Sequence, residues 1–145
     1  MHFSFTLLST LFLAAGHAWA HIYGLSPYTA TYHPTPTSTF PLTFLTENGP
    51  TFAADFSVVI GLYPTSESSI GGGNALVDYI QNIDLVATGH SSTGTGSFTI
   101  NIPLPSSYFF SGSGNYVIKA IVTQAFGAAE TAQLAPFTIT IAVAL

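Results

Sequence analysis

SGSGNYVIKAIVTQAF, residues Ser111–Phe126, is the stretch from which the fold can be read. After a glycine- and serine-rich lead-in, the chain alternates for about ten residues. Tyr116, Ile118, Ala120, Val122 and Gln124 fall on one side, and Val117, Lys119, Ile121, Thr123 and Ala125 on the other. Period-two alternation rich in β-branched residues predicts a strand. Tyr116 follows Gly114 by two residues at the start of this late strand. That is the placement of the tyrosine corner of immunoglobulin-like sandwiches, in which the hydroxyl bonds back to the backbone just upstream. An ordinary strand tyrosine is the alternative. Either way, an all-β domain is expected around it.

Working outward, the same signals recur. His21–Pro27 reads as a proline-terminated edge strand, and Tyr28–Thr39 as an extended surface connection rich in hydroxyls and proline. Phe40–Thr46 is the next strand, with Pro41 near its start or away from a ladder partner. Asp55–Tyr63 follows the Asn48-Gly49-Pro50 turn, with Phe56, Val58, Ile60 and Leu62 inward and Ser57, Val59, Gly61 and Tyr63 outward. Ala75–Asn82 suits either a helical turn or a strand, whereas Ile83–Thr88 reads as a strand. Ser97–Leu104 would point Phe98, Ile100 and Ile102 inward, and Pro136–Leu145 would do so with Phe137, Ile139, Ile141 and Val143. About seven short antiparallel strands separated by turn residues predict an immunoglobulin-like or fibronectin-III-like β-sandwich. A small barrel has the same alternation.

The first residues belong to a different class. Met1–Ala20 carries an apolar run through Leu7, Leu8, Leu11, Phe12 and Leu13 and ends Ala18-Trp19-Ala20, the form of a secretory signal peptide. The run is too short to span a membrane. Cleavage between Ala20 and His21 leaves His21–Leu145 as one domain, large enough for its own core. The chain has no cysteine, so a secreted domain of this kind holds together by packing without a disulfide. Six acids against Lys119 give a net charge of −5 with no arginine. That balance argues against nucleic acid or an anionic membrane as partner, because both demand clustered cations. An uncharged, hydroxyl- and aromatic-bearing surface is expected instead.

Catalytic signatures are missing from the sequence. There is no G-x-S-x-G, no H-E-x-x-H and no recognisable carboxylate pair, and the glycine run Gly71–Gly73 lacks the lysine of a phosphate-binding loop. The expectation is a non-enzymatic protein without a cofactor. One alternative centres on His21, whose α-amine and imidazole would together suit Cu(II) once the leader is removed, with His33 or His90 as a further ligand. A cell-surface domain that binds glycans through uncharged aromatics is another. Candidate contacts for a protein partner are Tyr63, Tyr79, Tyr108, Phe109 and Phe110, since aromatics are enriched at interface cores. Core packing is the competing role for each of them.

Several stretches taken in order resemble the fungal necrosis-inducing secreted protein effector family: Ile22, Gly24 and Pro27, then Phe56–Pro64, Asp84–His90, Phe98–Pro105 and Gly114–Ala128. The resemblance implies a small secreted β-sandwich that acts on a plant host, in some cases inside host cells. It further implies binding to and inhibition of receptor-like or receptor-associated immune kinases, and no catalytic residues. The chain stops soon after its last strand, without the polar tail that some members carry.

Overall fold

A computed structural model describes residues 20–49, 52–67, 78–127 and 129–145. Residues 1–19 of the leader, the Gly71–Gly73 run and the Pro50 turn position lie outside the described residues. Among the described residues, eight strands form two sheets. The smaller sheet holds β1 (Ala20–Leu25), β3 (Thr39–Asn48) and β6 (Gly96–Pro103), in the order β1-β3-β6. The larger contains β2 (Thr31–Tyr32), β4 (Ala53–Pro64), β5 (Asp78–Asp84), β7 (Gly114–Phe126) and β8 (Thr131–Val143), in the order β2-β8-β7-β4-β5. Every pairing is antiparallel except the short β2–β8 contact.

The core lies between the sheets. Phe40, Leu42 and Phe44 of β3, with Ile22 and Ile102, face Val58, Ile60 and Leu62 of β4 and Ile118, Ala120 and Val122 of β7. Apolar residues two apart on strands from both sheets can fill one layer between them. Polar ties supplement the packing. Tyr32 caps the β2 side, donating to the Leu104 carbonyl at 2.8 Å while its ring meets Phe40 and Phe109. Thr43 and Thr99 share a hydrogen bond across the β3–β6 pair at 2.7 Å.

Several expectations need correcting. The connection after β1 contains a strand of its own, β2, because Tyr32 is anchored in the core and pairs with Val143. The strand expected at Ile83–Thr88 instead occupies Asp78–Asp84. Asp84 ends it: its carboxylate accepts from the Ala87 N–H at 2.9 Å and its carbonyl from the Thr88 hydroxyl at 2.7 Å, which turns the chain. Phe56, expected inward, is 41% exposed because a bulge between Asp55 and Ser57 shifts the β4–β7 register. Gly61 and Tyr63, expected outward, are buried together with Val117, Lys119 and Ile121 on the second face of the larger sheet. Tyr63, Val117 and Ile121 are buried there around Lys119, so the outward assignment fails. The last strand begins at Thr131, earlier than expected. Pro136 fits within it because β8 has a partner on only one side at that point. Pro41 likewise lies beyond the end of the β1 pairing.

Candidate functional site

The least expected polar feature is a buried clamp at the start of β4. Asp55 is 1% exposed. Its Oδ2 accepts from the Ile22 N–H at 2.7 Å, and its Oδ1 from Gln124 Nε2 at 2.8 Å. The same Gln124 amide donates to the Ile22 carbonyl at 2.7 Å. Two side chains of the larger sheet thus bond both the N–H and the C=O of one residue in the smaller. The Asp55 N–H is held by the Ser91 carbonyl at 3.1 Å. This is a polar inter-sheet tie in a chain with no cysteine. The sequence offered one signal for it: Gln124 interrupts the otherwise apolar run of Ile118, Ala120 and Val122 on its side of β7.

Burial raises the Asp55 carboxyl above the usual carboxylate range, outweighing the Gln124 and Ile22 hydrogen bonds and the nearby His21 charge. A carboxyl raised in the folded state contributes most below its unfolded value of about 3.9, and that contribution is lost as pH rises through the folded value. While the His21 nitrogen is an amide, the stability of the wild type relative to Asp55→Asn is therefore expected to decline between about pH 3 and neutrality. Thermal midpoints of both proteins across that range check this. A relative gain with pH would mean that the hydrogen bonds outweigh burial.

The histidines are dispersed. His21 packs edge-on against Phe126 at 4.9 Å, with its Nε2 3.5 Å from Glu47 Oε1 and its Nδ1 buried without a hydrogen bond. His90 stacks on Phe98 at 4.2 Å, because that half-buried ring offers it an apolar face. His33 is exposed. Among the described residues, no group of three or more His, Cys, Asp or Glu side chains is placed to hold a metal ion.

The candidate aromatic contacts divide by environment. Phe109 is in the core, edge-on to Tyr116 at 4.9 Å, and Tyr108 is half-buried against the same core. Tyr63 is buried on the second face of the larger sheet. Tyr79 on the edge strand β5 and Phe110 in the turn before β7 are 59% and 66% exposed. Both present apolar rings to solvent. Near Phe110, a cavity of about 200 Å³ opens between the ends of β4 and β7, lined by uncharged groups including Thr65, Ser66, Ser111, Ser113 and Asn115. Tyr116 borders it and donates its hydroxyl to the Gly112 carbonyl at 2.9 Å, closing the corner expected from the sequence. Gly112 has φ +82°, a conformation open to glycine at little cost.

A model of the Nis1 family matches residues 18–142. That span takes in every strand except the last residue of β8. The chain belongs to the Nis1 family. No curated protein sequence matches it. The Nis1 span includes the Asp55–Gln124 clamp, the Tyr116 corner and the exposed rings of Tyr79 and Phe110. In this Nis1 chain, Tyr116→Phe keeps the ring and removes the corner bond. It is expected to cost about 1 kcal/mol, read from a lowered urea midpoint at unchanged slope. An unmoved midpoint would show that water replaces the bond without loss.

Proposed function

We propose that this chain is a secreted, non-enzymatic protein that suppresses plant pattern-triggered immunity by binding host receptor-like or receptor-associated kinases. The observation that carries the reading is Nis1 membership over nearly the whole domain. The match begins at residue 18, just ahead of the cleavage point read between Ala20 and His21, which supports a leader followed by one domain. Among the described residues, no helix is long and apolar enough to cross a membrane.

We also infer a fibronectin-III-like arrangement. The strand order of the two sheets and the corner bond of Tyr116 support it.

A charge-poor surface with exposed rings at Tyr79 and Phe110 suits an apolar-centred protein interface. Co-precipitation of the processed chain with recombinant kinase domains from plant immune receptor complexes tests the reading. Binding is expected, and Tyr79→Ala with Phe110→Ala is expected to weaken it by about 10-fold or more. Retained affinity in that double variant would move the interface elsewhere on the domain.

A further inference from the structure

Asp55 is almost fully buried, and both of its oxygens accept from N–H donors, an arrangement that suits the ionised, acceptor-only carboxylate. A buried carboxylate requires a counter-charge. The groups that face it are Gln124 from β7 and Ile22 and His21 from β1, with Glu47 of β3 beyond His21. Lys119, the chain's one lysine or arginine, lies across from Gly61 in the strand register and, five residues from Gln124, on the opposite face of β7. The fixed cation of this sequence is therefore not the partner of Asp55.

A cation can arise by another route. The Ile22 nitrogen lies 2.7 Å from Asp55 Oδ2. The His21 nitrogen is one residue back, and successive residues of extended chain advance by about 3.5 Å. The two distances bound the separation between the His21 nitrogen and the carboxylate at about 6 Å, a range in which an opposite charge stabilises an ionised group. In a longer chain that nitrogen is a neutral amide. Once the preceding residue is removed, it is an ammonium free to turn about the His21 backbone.

We propose that cleavage between Ala20 and His21 installs the His21 α-ammonium as the counter-charge of Asp55, so that processing completes the inter-sheet clamp. The inference rests on the secretory reading of the leader but not on any host partner. A newly made charge thus locks the strand it begins, and the processed domain is more stable than a chain still blocked at that nitrogen.

The test uses the purified chain beginning at His21, prepared with a free or an acetylated α-amine, each with and without Asp55→Asn. Acetylation is expected to lower the thermal midpoint by about 3 °C in the wild type and to have much less effect in Asp55→Asn. An equal loss in both backgrounds, or none in either, overturns the proposal. A second readout does not depend on the variant folding. The α-amine of the folded wild type is expected to react with acetic anhydride about 10-fold more slowly than that of the peptide His-Ile-Tyr-Gly, and equal rates overturn the proposal. N-terminal sequencing of the secreted protein is expected to begin at His21, and a start elsewhere overturns the link to processing. None of these measurements involves a kinase, so their failure leaves the proposed host function untouched.

Discussion

Phe40→Ala is expected to cost about 3–5 kcal/mol, the largest single loss foreseen for this domain. Phe40 is fully buried at the start of β3, and its ring meets both Tyr28, at 4.8 Å, and Tyr32, at 5.3 Å. Truncation leaves a cavity between the sheets and removes the support beneath Tyr32, whose hydroxyl ties β2 to the Leu104 carbonyl. The loss is read from equilibrium urea unfolding, with a lowered midpoint and an unchanged slope. A loss below about 1.5 kcal/mol would mean that the surrounding rings collapse into the space. In that case Phe40→Leu, which retains most of the volume, would cost nearly the same.

Gln124→Leu is expected to cost about 2–4 kcal/mol despite placing an apolar residue on an apolar strand. The change deletes the donor to the Ile22 carbonyl and the donor to Asp55 Oδ1 together. Both acceptors are buried, and one of them belongs to a carboxylate, so leucine cannot recover what solvation or the amide supplied. The damage is expected to be local. Amide hydrogen exchange should accelerate in β1, while the central β4 and β7 amides keep their protection. Uniform acceleration would show instead that the clamp supports both sheets cooperatively.

What the sequence revealed follows from where local rules govern. The β7 stretch was legible because about ten of its residues alternate without a break, and the corner at Tyr116 because one glycine spacing implies one geometry. The exposure of Phe56 was hidden because a bulge, which inverts which side chains face inward, leaves no mark in the hydrophobic pattern. The position of β5 was missed because the bonds to the carboxylate and carbonyl of Asp84 end the strand before its apolar run does. Phe109 and Phe110 are adjacent and chemically identical, yet one is core and the other is surface, a difference that the turn alone determines. The clamp was the least accessible feature. Asp55 and Gln124 are far apart in sequence and meet only because β4 and β7 pair with that register.

The partner proposed for this Nis1-family domain is a host immune kinase. The most direct test of this proposal is equilibrium binding of the purified chain His21–Leu145 to a panel of plant receptor-like and receptor-associated kinase domains, with folding verified beforehand. The account predicts saturable binding to at least one member, weakened by the Tyr79→Ala and Phe110→Ala pair. Absence of binding across the panel by well-folded protein would contradict it, leaving the family and fold in place without the proposed activity.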